Sequence, residues 1–215
     1  MQENNIYKHI DTLIKRYPSL SICRNDIHNA YCILKQTYAE GHKLLVCGNG
    51  GSASDSEHIV GELMKEFKLK RKVFREQADA MKAIDPELGA ILANHLQGAL
   101  PAISLTGHSS LTTAFMNDSL PELIFAQQVN GYGVPGDAFL GISTSGNSRN
   151  VLFAAVAAKA KGMKVLGLTG SRPCKLFQLT DVCIQVPETE TYRIQELHLP
   201  VYHCLCMMLE EYFYG

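Results

Sequence analysis

The sequence predicts an α/β domain: a five-stranded parallel sheet sandwiched by helices and doubly wound, with extra N-terminal helices and a long C-terminal helix. Three observations predict it. Short apolar runs of strand length alternate with helix-length runs through residues 43–186, the alternation that right-handed crossovers turn into a parallel sheet covered on both faces. Two of those apolar runs end in turns rich in glycine and serine, Gly48-Asn49-Gly50-Gly51-Ser52 and Ser143-Thr144-Ser145-Gly146-Asn147-Ser148. Helical patterns also stand before the first strand and after the last.

Residues 3–17 and 25–40 read as helices, with Ile6, Ile10, Leu13 and Ile14 on one face of the first. Pro18 stops that helix and Gly41 is the C-terminal stop of the second. Strand 43–47 follows, then a helix from Ser52 to Phe67. Next come strand 102–106, helical patterns over 109–116 and 120–131, and strand 138–142. Helix 148–161 ends near Gly162 and leads to strand 163–169, a short helix over 173–179 and strand 181–186. A final helix runs from 191 to 213. A chain of 215 residues fits one domain, 1–215, with ample core.

Composition excludes several classes. Hydrophobic residues make up 46% and charged residues 19%, which fits a globular protein and not a disordered one. The formal net charge of −1 gives no electrostatic reason for nucleic acid or an anionic membrane as partner. Seven cysteines, an odd number without a CxxC pair, read as thiols in a reducing compartment. The polar start Met1–Asn5 lacks the apolar core of a secretory leader, and no apolar run is long enough to span a bilayer. The expectation is a cytoplasmic protein.

The two turns are the first candidates for chemistry. A strand, a tight polar turn and a helix N-terminus together offer backbone N–H groups, hydroxyl donors and positive potential to an anion. Ligands of open parallel sheets sit outside the carboxyl ends of the strands, where both turns fall. A phosphorylated ligand is therefore expected there. The first turn is not a Walker A loop, since no Gly-Lys-Ser/Thr follows, and not a GxGxxG fingerprint, since Ala53 takes the third position. Taken alone it is equally well read as a steric turn. The second carries four hydroxyls in six residues, Ser143, Thr144, Ser145 and Ser148. Capping of the next helix by Ser148 would use only one of them, which favours phosphate.

Two helices supply further candidates. His58 and Glu62 are four residues apart, so they share a helix face and can hold a divalent metal or act as an acid–base pair. An ordinary exposed ion pair is the plainer reading. The last helix carries Gln195, Glu196, His198 and His203. His203 lies in the apolar run Leu199–Leu209, where a core histidine is the usual explanation. Gln195 and His203 are separated by about 12 Å along an ideal helix and about 80° around it. One metal takes both only if each side chain stretches toward it, or neighbouring subunits contribute instead. Pro200 is a candidate distortion between them.

Together these elements resemble the SIS (sugar isomerase) domain, specifically the phosphoheptose (sedoheptulose 7-phosphate) isomerase family. The resemblance spans the N-terminal helices, Gly48 to Glu62, Gly141 to Gly170, and Arg193-Ile194-Gln195-Glu196-Leu197-His198 to His203. It implies a five-stranded sheet, a homotetramer and active sites between subunits. It implies that Asn49, Gly50, Gly51 and Ser52 touch substrate, and that Ser143, Thr144, Ser145 and Ser148 hold its phosphate. Asn117-Asp118 matches the family's Asn-Asp pair near the sugar, with Met116 in place of the usual Gly. His58, Glu62, Gln195 and His203 match its zinc ligands, one ion per active site, and Glu62 and Gln195 count among the substrate contacts. Glu62 and His203 also match its acid–base pair.

The chain departs from the family between Arg71 and Leu100, where it is longer than a typical member. Residues 71–100 read as an insertion or lid, holding Phe74, Met81, Ile84, Pro86, Leu88, His95 and Leu96. Lys65–Arg75 is rich in Lys and Arg and reads as a solvated loop in preference to an added phosphate contact.

The activity implied by the resemblance is aldose–ketose isomerisation of sedoheptulose 7-phosphate to D-glycero-D-manno-heptose 7-phosphate through an enediol(ate). Two other readings stand beside it. One is a noncatalytic SIS-domain protein that binds a phosphosugar or a partner such as a replication initiator. The other is an isomerase of a different sugar phosphate.

Overall fold

The structure, a computed structural model, describes residues 2–215 and side chains from Ile6 onward; Met1 and the side chains of the polar start at 2–5 lie outside the described residues. Five short runs form the sheet: β1 (Leu44–Cys47), β2 (Ala102–Ser104), β3 (Ala138–Ile142), β4 (Lys164–Thr169) and β5 (Val182–Gln185). All pair in parallel in the order β2-β1-β3-β4-β5.

Every residue of β1 and β3 is buried. Side chains alternate between the faces of a strand, and the two cores follow that alternation. Leu44, Val46, Ala138, Leu140 and Ile142 join one hydrophobic cluster, whereas Leu45, Cys47 and Phe139 join the other. The first cluster is covered by α1 (Gln2–Arg16), α2 (Arg24–Ala39), α3 (Gly51–Met64) and the long α10 (Thr191–Tyr214). The second is covered by α7 (Ile124–Tyr132), α8 (Arg149–Ala160) and α9 (Lys175–Leu179). Crossovers from β1 and from β3 thus leave on opposite faces. The switch point of the sheet lies between those two strands, where both glycine- and serine-rich turns emerge.

Gly41 stops α2 with φ +80°, a conformation that suits glycine. The sequence reading carried the helix after β1 to Phe67. The structure ends α3 at Met64, because Lys65 turns extended with φ −141° and ψ 177°. Strand β2 is also shorter than 102–106, and the 120–131 pattern divides into a 3₁₀ turn at Pro121–Leu123 and α7.

Residues 71–100 hold α4 (Arg75–Ile84) and α5 (Pro86–His95), which pack as a hairpin. Asp85 caps α5, accepting from the amides of Glu87 and Leu88. A bridge between Lys72 and Gln97 closes the base. The preceding basic stretch is not uniformly solvated: Arg71 is only 2% exposed and is ion-paired to Glu210. After the hairpin, α6 (Ser109–Asp118) leads to the 3₁₀ turn. All seven cysteines are free, and five are fully buried. Among the described residues no helix is long and apolar enough to cross a membrane.

Candidate active site

Gly50 adopts φ +55° and ψ −120° just before α3, a conformation that glycine alone takes without strain. The turn closes through the Ser52 amide donating to Asn49 O at 3.0 Å, and Ser52 itself is buried beneath it. Asn49 and Asn150 exchange two side-chain amide bonds, Nδ2 to Oδ1, at 2.9 and 2.8 Å. These bonds join the turn after β1 to the first turn of α8, across the switch point. Asn150 was not among the sequence candidates.

In the second turn Ser143 is buried and Ser145 is exposed. Gly146 takes φ +61°, and its amide donates to Ser143 O at 3.0 Å. Ser145 Oγ accepts from the amide of Asn147, whose Oδ1 in turn accepts from the Lys175 amide at the start of α9. Ser148 does sit at the N-cap position of α8, but its hydroxyl makes no cap bond. It lies 3.0 Å from Ser143 Oγ instead. The expected cap is therefore replaced by a pair of facing hydroxyls.

A cavity of about 320 Å³ is lined by Asn49, Gly50, Thr106, Thr112, Met116 and Asn150, among others. Thr106 is held by Glu57, its Oγ1 donating to Oε1 at 2.8 Å. Asn117 and Asp118, next to Met116 at the end of α6, are exposed and bond to each other at 2.9 Å.

Helices α3 and α10 pack side by side and bring the remaining candidates together in two places. Gln195 lies over Gly51, where a Cβ would stand 2.5 Å from Nε2. His203 meets His58: their Nε2 atoms are 3.5 Å apart, and His58 Nε2 is 3.2 Å from Glu62 Oε1. Gly51 and His58 are separated by about 10 Å of helix rise. Gln195 is thus placed about two turns from the His58–Glu62–His203 group, and Pro200 leaves α10 continuous between Gln195 and His203.

Tyr202 Oη donates to Asp55 Oδ1 at 3.2 Å. Its one proton being so used, it accepts from His58 Nδ1 at 3.0 Å. In neutral His58 the Nε2 lone pair then faces Glu62 and His203. Burial above all, and then the Asp55 carboxylate, raises the Tyr202 phenol, so it stays a proton donor. Burial likewise lifts Asp55, with Tyr202 and His58 pulling it back. The pKa of His203 is lowered, by burial first and by His58 second, while Glu62 opposes both. Glu62 Oε2 is buried without a hydrogen bond, although Lys65 Nζ approaches to 3.6 Å. His203 also borders a second cavity, of about 660 Å³, lined by Lys8, His9, Arg16, Lys68 and neighbours on α1 and α10. The two cavities share no lining residue.

The SIS domain family model matches residues 77–170. Over 211 residues the chain is 37% identical to a phosphoheptose isomerase of Nitratiruptor sp., covering 98% of this chain and 97% of that protein. A phosphoheptose isomerase of Akkermansia muciniphila is 35% identical over 199 residues, covering 93% and 92%. Among solved structures, a phosphoheptose isomerase from Francisella tularensis superposes with a TM-score of 0.74 at 29% identity, covering 97% of this chain and 98% of that one. The Neisseria gonorrhoeae phosphoheptose isomerase gives 0.72 at 30% identity, covering 98% and 99%. Identity and coverage of this extent, on the same fold, place the chain in the phosphoheptose isomerase family of phosphosugar isomerases.

Proposed function

We propose that the chain interconverts sedoheptulose 7-phosphate and D-glycero-D-manno-heptose 7-phosphate, or a close heptose phosphate, through an enediol(ate). The observation that carries this reading is the meeting of His58, Glu62 and His203 on two helices. One of those helices starts from the glycine turn at the sheet's switch point. The reaction moves a proton between C1 and C2 of the sugar. Glu62 is the base that takes it, and His203 is the acid–base partner that serves the oxygen, a contribution of about 10²–10⁴-fold. Hydroxyls of Ser143, Thr144, Ser145 and Ser148 hold the phosphate, and that remote grip orients the reacting carbons. Asn49, Gly50, Gly51, Ser52, Asn117, Asp118 and Gln195 complete the sugar contacts in this reading.

Zinc is part of the proposal, with His58, Glu62 and His203 as the residues that would hold it and Gln195 as a fourth. Among the described residues no group of three His, Cys, Asp or Glu side chains is spaced to hold a metal as it stands. His58 instead touches both Glu62 and His203 directly. Their chemistry nevertheless fits a cation: an imidazole lone pair, a carboxylate with a buried unbonded oxygen and a second imidazole converge. When bound, the ion would supply Lewis-acid polarisation of the sugar carbonyl.

A cytoplasmic homotetramer with active sites between subunits completes the reading. Two cavities without a shared lining residue support sites built from more than one chain. So do the exposed Leu88, Ile91 and Leu92 on α5 and Leu96 just past its end. The free thiols support a reducing compartment. The test is incubation with sedoheptulose 7-phosphate in D₂O, with and without added zinc, followed by NMR. The expected product is the aldose, with deuterium at C2. No turnover on any heptose phosphate in either condition would overturn the reading and favour a binding protein.

A further inference from the structure

Glu62 stands in the last turn of α3, which ends at Met64. The final carbonyls of a helix have no partner within it, and terminal turns fray first. A base or ligand placed there has its carboxylate only as well fixed as that turn. In this chain the turn is pinned from outside. Arg71 Nη2 donates to Glu62 O at 2.9 Å, and Nη1 donates to Leu63 O at 2.7 Å. The third donor, Nε, goes to Glu210 Oε1 at 2.7 Å. Glu210 also accepts the amides of Phe67 and Lys68, each at 2.8 Å. The Tyr214 ring lies 5.1 Å from the guanidinium carbon.

Arg71 and Glu210 are 2% and 1% exposed. A buried ion pair adds little over well-packed apolar residues in net stability, so stability alone does not account for it. Its placement has a geometric consequence. Glu210 lies two turns beyond His203 on α10, within about 20° of the same helix face. The pair therefore ties the end of α3, which carries Glu62, to the helix that carries His203. Three donors in one rigid plane make this tie, which a lysine cannot reproduce.

We infer that Arg71, held by Glu210, is a positioning residue for Glu62: it fixes the backbone from which that carboxylate projects toward His58 and His203. The inference rests on the proposed role of Glu62. Arg71 acts through backbone carbonyls and touches no reacting group.

The test is the double variant Arg71→Met/Glu210→Gln. Glu210→Gln leaves no lone buried charge and keeps one of the two acceptors, giving up the bond to either the Phe67 or the Lys68 amide, while Arg71→Met removes both carbonyl bonds. Three readouts are compared with wild type: thermal melting, steady-state kinetics on sedoheptulose 7-phosphate, and hydrogen exchange of the peptide spanning the end of α3. Expected are a cooperative melt, kcat lower by about 10–10²-fold with KM changed less than about threefold, and faster exchange confined to that peptide. If the double variant does not fold, Arg71→Lys carries the same comparison, with a kcat loss of about tenfold. A folded variant with wild-type kcat would overturn the inference. So would lost kcat with unchanged exchange. Inactive wild type counts against the isomerase reading instead, and the exchange readout then decides the positioning role by itself.

Discussion

Tyr202 Oη lies 3.0 Å from His58 Nδ1 and turns its own proton away, toward Asp55. The phenol thereby selects the His58 tautomer and aims Nε2 at Glu62 and His203. Outer partners of this kind orient an imidazole, and their loss typically costs 10–100-fold in metal affinity. Tyr202→Phe keeps the ring packed against His58 and His203 and removes only the hydroxyl. The expected outcome is zinc binding weakened by about tenfold or more in a chelator competition, with melting little changed. Wild-type affinity in the variant would mean that His58 needs no such orientation or is no ligand.

The reciprocal amide pair of Asn49 and Asn150 predicts a second loss. The pair spans the switch point, and neither residue is buried. Asn150→Ala removes two hydrogen bonds that hold the glycine turn. At about 1 kcal/mol for the two together, kcat/KM falls by about fivefold. Thermal stability stays near wild type, because the site is exposed. A variant with unaltered kcat/KM would show that the turn holds its shape without the clamp.

What the sequence discloses and what it hides follow from the range of each interaction. Strands and turns are local patterns, so β1 and β3, with the turns that follow them, are legible as short apolar runs ending in Gly and Ser. Contacts between remote helices are not. Tyr202 reads as one more member of the apolar run around His203, and only the packing of α10 against α3 brings its hydroxyl to Asp55 and His58. Arg71 reads as part of a solvated basic run, because the Glu210 that buries it comes 139 residues later. Asn150 follows the serine turn by two residues and carries no signal that its partner lies after β1. The hydroxyl of Ser148 had a local rule in favour of capping, but Ser143 beside it offers a competing partner.

His198 gives the chain an acid limit. It is fully buried, and the Thr169 backbone is the one polar group that acts on its ring. Burial lowers its pKa to about 4, with the Thr169 backbone pulling weakly the other way. In the unfolded chain the ring titrates near 6.5. Above that pH both states hold it neutral and its contribution is intact. As pH falls from about 6.5 to about 4, the unfolded state takes up a proton that the fold excludes, costing up to about 3 kcal/mol. His198→Leu removes this term, so its melting temperature should fall less steeply than wild type between pH 7 and 4. Parallel curves for the two proteins would mean that another group sets the acid limit.

Adjacent glycines in the first turn separate backbone strain from side-chain displacement. Gly50 has φ +55° with open space around the position of a Cβ, so Gly50→Ala strains only the backbone. The expected cost is about 1–3 kcal/mol, read as a lower melting temperature. Gly51 has ordinary φ, but a Cβ there would stand 2.5 Å from Gln195 Nε2. The end of a flexible side chain yields easily, so Gly51→Ala should melt near wild type while Gln195 moves off the turn. If Gln195 serves the sugar or the metal, kcat/KM then drops by about tenfold in a protein that is otherwise intact. Full activity in Gly51→Ala would remove Gln195 from the site and leave His58, Glu62 and His203 as its only support on the two helices.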